Sequence, residues 1–541
     1  MSEGAAPSAA GSWEPSRRPP LVLAGSALVL VGLVALPLVY LAVRAGSGGA
    51  DAWRILGRGR LLELIGHTLL LVGAVTAAAV AIAVPLAWLV VRTDLPGRRL
   101  WGVAAALPLV IPSYVAALVL LAAFGPRGLV QQVLEGPFGI ERVPAIHGFP
   151  GAFLALTLST YPYVYLLAGA ALRDLDPALE EASRGLGRSA LETFRRVTLP
   201  VLRPSIGAGA LLVGLYTLSD FGAVSLMQYR SLTRAIFLQY KSLFDRAPAA
   251  VLALVLVVLT AVVLVLEAWT RGRARYHRTS PGTSRPPRRV QLGAWRWPAA
   301  SFCAIVVGFG LCLPLAVIGY WLERSFSLGQ GFSGAWQPAL NSILVSALAA
   351  GAAALAAVPV ALLAVRYPAR WTIALERLSY GSNALPGIVI ALSLVFFAAN
   401  YASPVYQTLA LLVFAYVVRF YPQAVAGAHA AFVRVSPRLE EAARGLGRSP
   451  WRAFVSVTAP LAAPGLLAGA ALVFLSTMKE LPATLLLRPI GFETLATEVW
   501  TATTVSFYSR AAAPALLLVL FSAPFVYLLT RRREVEVDAP G

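Results

Sequence analysis

The chain has 541 residues, 58% hydrophobic and 13% charged, with a mean hydropathy of +0.73. Soluble domains carry roughly 45–50% apolar residues, so this composition excludes a soluble globular fold and points to a polytopic membrane protein. The formal charge of +20 does not mark a nucleic-acid binder, because most arginines fall in short segments between apolar runs, where charge sets orientation.

The first 20 residues are rich in Ala, Ser and Pro and are expected to be a disordered cytoplasmic segment. Arg17 and Arg18 read as an orientation signal rather than a twin-Arg export motif, and the run 21-43 as an uncleaved first span, too long for a signal-peptide core. A bilayer needs roughly 20 apolar residues per helix. On that rule the first half spans at 21-43, 66-91, 101-123, 151-172, 204-227 and 248-269, and the second at 299-321, 340-365, 379-399, 405-430, 464-487 and 511-530.

A basic segment rich in Pro, Gly and Ser, 271-298, reads as a cytoplasmic linker between a first repeat, 21-270, and a second, 299-530, followed by the tail 531-541. With both termini cytoplasmic, Arg92, Arg98, Arg99, Arg366, Arg370, Arg377 and Arg531 to Arg533 all face inward, as the positive-inside bias requires. Arg127, Arg142, Arg230, Arg234, Lys241 and Arg246 fall outside, so the bias is strong but not absolute. Six helices per half is an even number, which makes the halves parallel repeats about an axis along the membrane normal. The expected fold is all-α, with about 12 transmembrane helices in two six-helix repeats.

Cys303 and Cys312 lie nine apart in one apolar run, about 13 Å along a helix axis, too far to bridge. His67, His147, His277 and His429 are isolated and have no metal-ligand spacing; His429, ending an apolar run, reads as a packing or interfacial residue.

The segment from Glu180 to Pro204 returns from Glu440 to Pro464 with 14 of 25 positions identical and no gap. Asp176 then Pro177, and Ser436 then Pro437, read as N-cap and first helical position. Acids follow in the first turns at Glu180, Glu181, Glu440 and Glu441, where the helix dipole favours them. Gly185, Gly187, Gly445 and Gly447 break the helix, and a second short helix leads through Pro200 or Pro460 into the next span. Two matched helix, Gly-turn, helix loops (176-200 and 436-460) at the inner surface imply a partner with two equivalent sockets. A basic loop that merely binds anionic lipid would need neither the acids nor the glycines.

Glu181-Ala182-Ser183, three residues, Gly187, nine residues, then Val197-Thr198-Leu199-Pro200 resembles the EAA motif of binding-protein-dependent ABC importer permeases. Glu441-Ala442-Ala443, Gly447 and Val457-Thr458-Ala459-Pro460 resembles it again. The departures, Ser183, Val197, Val457 and Ala459, are small or apolar exchanges. The resemblance implies a type I ABC importer permease fold in the inner membrane. It also implies coupling helices at Glu180, Glu181, Ala182 and Gly187 and at Glu440, Glu441, Ala442 and Gly447.

A P-loop needs Gly-Lys-Ser/Thr, yet the chain has only Lys241 and Lys479, neither after a glycine. The chain is therefore not expected to be an enzyme or to bind a cofactor. The resemblance assigns ATP and Mg to a partner: two copies of an ABC ATPase, working by alternating access with an extracytoplasmic binding protein, in membrane lipid and without nucleic acid. An ion-coupled secondary transporter is the rival class, but its usual signs are inverted repeats or midplane acidic relays.

At the repeat offset of 260, Ser219-Asp220 corresponds to Lys479-Glu480, in the outer part of the fifth and eleventh spans. Charge inside an apolar span is costly unless paired or hydrated, so these four residues are candidates for the pathway or gate; a structural Asp220–Lys479 ion pair is the alternative. Tyr161-Pro162 and Tyr421-Pro422, again 260 apart, read as kinks with a tyrosine either lining the pore or packed in the core. The strings SDFGA and MKELPATLLLRP, with the fused two-motif layout, are similar to ferric-iron importer permeases. The carboxylates of Asp220 and Glu480 would suit a hard cation. Fused permeases for thiamine, phosphonate or polyamine share the layout.

Overall fold

The computed structural model describes residues 19–47, 57–125, 128–131, 135, 139, 146–241, 247–270 and 289–538. Among these residues every regular element is helical, and the one strand-like pairing is an isolated parallel bridge between Thr93 and Val290. Lipid offers no hydrogen-bond partner to a bare backbone, so apolar runs of this length close their amide bonds within helices.

Among the described residues ten helices are long and apolar enough to cross a bilayer, or eleven if the pair Arg370–Ser382 and Gly387–Tyr401 counts as one span. Tyr508–Pro524, in the region of the twelfth expected span, is a shorter apolar helix.

Four of the expected spans differ in form. The run 101-123 is a short helix Arg98–Ala104, a 3-10 turn Leu107–Val110 and a helix Ser113–Phe124, because Pro108 and Pro112 lack the N–H that would continue one ladder. The run 379-399 becomes a helix only at Gly387, after Pro386, and is preceded in the chain by a separate helix, Arg370–Ser379. The runs 204-227 and 464-487 are each interrupted near the outer end: Leu199–Ser219 gives way to Gly222–Leu226, and Ala459–Met478 to Pro482–Leu487.

Residues 1–18 of the N-terminal segment, 271–288 of the linker, Arg127, Arg142, Arg246 and residues 539–541 of the tail lie outside the described residues.

The chain forms two compact units that cut across the two sequence repeats. One comprises Met1–Leu36, Ala347–Asn383 and Tyr416–Ser476. Within it the helices Leu409–Arg434 and Ala459–Met478 approach through small residues: a Cβ placed on Gly427 would lie 2.6 Å from Gly469 Cα, and one on Gly465 would lie 2.6 Å from Ala431 Cβ. Dispersion between closely approaching backbones holds such helix pairs together in lipid. The other unit comprises Pro37–Ser346, Ala384–Ala415 and Thr477–Gly541. There the equivalent pair, Phe149–Asp174 and Leu199–Ser219, meets at Gly209, where a Cβ would lie 2.8 Å from Val164 Cα.

Candidate coupling loops and gate

The first copy of the motif folds as its residues dictate. Pro177 opens the helix Pro177–Gly185, where a missing N–H costs nothing, and Asp176 Oδ1 accepts from Ala178 N at 3.0 Å. Gly187 terminates it at φ +81°, a left-handed conformation that disfavours any Cβ, while its N–H reaches back to Arg184 O at 2.9 Å. Ser189 Oγ then accepts from Glu192 N at 3.2 Å to start Ala190–Thr193, and a π turn, Phe194–Thr198, feeds the membrane helix.

The two neighbouring acids face opposite ways. Glu180 is 8% exposed: its Oε1 accepts from Thr198 Oγ1 at 2.7 Å, and its Oε2 lies 3.7 Å from Arg92 Nη1. Arg92, the last residue of the helix Arg58–Arg92 and only 2% exposed, also donates from Nη2 to Leu175 O at 3.2 Å. Glu181, Ala182 and Gly187 are exposed, and Leu186 stands 78% exposed at the tip of the loop.

The second copy repeats this shape with a different set of side-chain bonds, among them Arg448 to Ser456. Pro437–Gly445 ends before Gly447 at φ +84°, Ser449 Oγ accepts from Arg452 N at 3.3 Å, and the π turn is Phe454–Thr458. Ser436 holds the N-cap position without a side-chain bond. Glu440 accepts from Thr458 Oγ1 at 3.1 Å, while Glu441, Ala442 and Gly447 are exposed. Arg366, which ends its helix as Arg92 does, has Nε and Nη2 buried without a hydrogen-bond partner among the described residues.

At the outer helix breaks, Asp220 and Glu480 play the same local role. Asp220 Oδ1 accepts from Ala223 N at 3.0 Å and Val224 N at 3.2 Å, its Oδ2 takes a hydrogen bond from Ser113 Oγ, and its carbonyl receives Thr233 Oγ1 at 2.6 Å. Glu480 Oε1 accepts from Ala483 N at 3.2 Å, and its carbonyl receives Thr484 Oγ1 at 2.5 Å. Carboxylates and threonines thus satisfy backbone groups that the interrupted helices would otherwise leave bare at membrane depth.

Asp220 and Lys479 do not pair with each other. Lys479 Nζ donates instead to Leu109 O, in the 3-10 turn of the first repeat, at 3.1 Å. Ser219 Oγ folds back onto Tyr216 O at 3.0 Å. Tyr161 and Tyr421 are fully buried within their own units; Tyr421 Oη donates to Ala356 O at 2.8 Å, and the Tyr161 hydroxyl has no partner among the described residues. His429 Nδ1 lies 2.6 Å from Glu376 Oε1, a contact that joins a membrane helix to the helix Arg370–Ser379.

The family model described as the binding-protein-dependent transport system inner membrane component matches residues 79–276 and again 351–533. The chain belongs to that family. The chain is 35% identical over 521 residues to an Fe(3+)-transport system permease protein of Haemophilus influenzae, covering 95% of this chain and 99% of the relative. It is 25% identical over 457 residues to a ferric transport system permease protein of Actinobacillus pleuropneumoniae (80% and 65% of the two chains). A molybdenum transport system permease of Escherichia coli is 30% identical over 189 residues, 34% of this chain and 81% of its own. The chain is accordingly a multi-pass inner membrane permease of a binding-protein-dependent ABC importer.

Three contacts of this inner membrane permease were not visible as such in the sequence. Arg92 was readable only as an orienting charge, although it is the cation that holds Glu180. Glu498, 4% exposed in the helix Leu495–Thr504, meets Arg510 Nε at 2.5 Å. A lone acid in LATEVWTATT was the available signal. Trp500 packs 5.1 Å from Phe221, next to Asp220.

Proposed function

We propose that this permease imports ferric iron, delivered by an extracytoplasmic binding protein, and that two ATPase subunits drive it through the loops 176-200 and 436-460. The observation that carries the coupling reading is the duplicated short helix whose inward acid is bonded to its own loop and whose next acid is exposed: Glu180 then Glu181, Glu440 then Glu441. An exposed carboxylate, a small Ala182 or Ala442, and an apolar tip at Leu186 or Leu446 make a compact key for a cleft on another protein. ATP and Mg belong to that partner, and closure of the ATPase dimer would draw the two loops together and open the outer side.

Both loops, both termini and the linker lie on the cytoplasmic side in this reading, because the arginine bias favours it. The repeats 21-270 and 299-530 act as parallel halves. Ferric cargo is supported by relatives named for Fe(3+) and ferric transport, one of them similar along nearly the whole chain. Thiamine, phosphonate or polyamine is the alternative cargo.

The test is uptake of radiolabelled Fe(III) against thiamine in cells with and without the chain. Chain-dependent entry of iron supports the reading, and chain-dependent entry of an organic solute without iron overturns it. Coupling is tested with Glu181→Arg and Glu441→Arg together, which should abolish stimulation of the ATPase by loaded binding protein.

A further inference from the structure

We infer that residues 289–296, where the linker returns to the membrane, brace the first coupling helix rather than merely joining the two repeats. The inference rests on the reading of 176-200 as a docking loop. Val290 N donates to Arg92 O at 2.8 Å and Asp94 N to Val290 O at 3.2 Å, forming the isolated parallel bridge. The Asp94 carboxylate closes over the same segment: Oδ1 accepts from Leu292 N at 2.8 Å, and Oδ2 lies 3.2 Å from Arg296 Nη2.

The residue whose carbonyl receives the linker is the residue whose side chain holds the coupling loop. Arg92 is bound through its backbone to Val290 and through its guanidinium to Leu175 O and Glu180. Fixing its backbone therefore fixes where a buried cation sits, and with it both the entry to the loop and the inward acid of the helix. Partly solvated backbone bonds alone are weak, but a carboxylate that also accepts an N–H and faces an arginine makes charge-assisted contacts with defined geometry.

The second repeat cannot copy this arrangement. Counting from Arg366 as the counterpart of Arg92, the position of Asp94 is taken by Pro368, which has neither the N–H for the bridge nor the carboxylate for the clamp. Arg366 keeps Nε and Nη2 without hydrogen-bond partners among the described residues, as Arg92 keeps Nε and Nη1, so the difference between the repeats rests on Pro368; Glu440 has Thr458 as its hydrogen-bond partner. One docking loop is braced, and the other relies on its own loop.

The test uses the full chain in three forms: Asp94→Ala, Val290→Pro, and a chain with a protease site inserted in 271–288 and cut after assembly. Hydrogen exchange at the amides of 178–187 should rise at least tenfold in both substituted chains, stay at the wild-type rate in the cut chain, and be unchanged at 438–447 throughout. Pairing Asp94→Arg with Arg296→Asp should restore part of the protection. Unchanged exchange at 178–187 in the two variants, or a rise in the cut chain equal to theirs, overturns the brace. In the complete transporter the variants should also move several-fold less cargo per ATP hydrolysed than the cut chain. Wild-type coupling in the variants would remove the functional half of the inference. A wild-type complex with no binding-protein-stimulated hydrolysis would instead sink the importer mechanism, and the exchange result would still decide the brace.

Discussion

Thr198 and Glu180, eighteen residues apart, share a 2.7 Å hydrogen bond, and Thr458 and Glu440 repeat it at 3.1 Å across the same interval. Each bond ties the exit of a loop to its entry, so the helix, turn and second helix behave as one closed element. The residue before the EAA triplet thus shapes the loop, and the first residue of the triplet faces outward.

Glu180→Ala should destabilise the protein, because it leaves Arg92 buried without its carboxylate; removing one member of a buried pair costs about 3 kcal/mol or more. Glu181→Arg alters an exposed site and should leave the melting temperature in detergent near wild type while impairing ATPase stimulation. Equal melting of the two variants would contradict the division of labour between these acids.

Gly187→Ala and Gly447→Ala should each cost roughly 1–2 kcal/mol through backbone strain alone. A Cβ at either position meets no atom within 4 Å, so crowding plays no part. Asparagine, which tolerates the left-handed region, should be milder than alanine at both sites. Thermal melting ranks the three residues, and alanine equal to glycine would refute the strain.

Asp220→Asn should keep much of the wild-type uptake, since an amide oxygen can still accept from Ala223 N and Val224 N. Asp220→Ala loses the cap, at about 1 kcal/mol, and should lower uptake further. If the carboxylate ligates passing cargo instead, asparagine and alanine should fail alike in a transport assay.

Lys479→Met removes the ammonium from Leu109 O and frees one contact between the second and first repeats. ATP hydrolysis in the absence of binding protein should rise several-fold if this contact holds the outer side shut. An unchanged basal rate, measured in the reconstituted complex, would leave Lys479 without a latching role.

The apolar runs and the caps at Asp176, Pro177, Gly187 and Gly447 were legible in the sequence because each depends on neighbours a few residues away, and the duplication because its two copies align without a gap. The helix breaks were half legible. MKELPA and SDFGA announced charge at depth, but only the fold reveals that Asp220 and Glu480 spend their oxygens on helix N–H groups. Contacts between distant segments were not legible at all: nothing in the spacing of Asp94 and Leu292, or of Lys479 and Leu109, shows that the pairs meet. The π turns at Phe194–Thr198 and Phe454–Thr458 were likewise not legible.

The division into compact units sets an order of assembly on the ribosome. The unit containing the start of the first helix, up to Leu36, draws its next residues from Ala347 onward and its last from Ser476. At about 5–20 residues per second, the 310 residues between Leu36 and Ala347 take on the order of 15–60 s to synthesise. For that interval the first half of the first helix, up to Leu36, waits in the bilayer without the rest of its unit, while the chain that becomes most of the other unit is already being inserted.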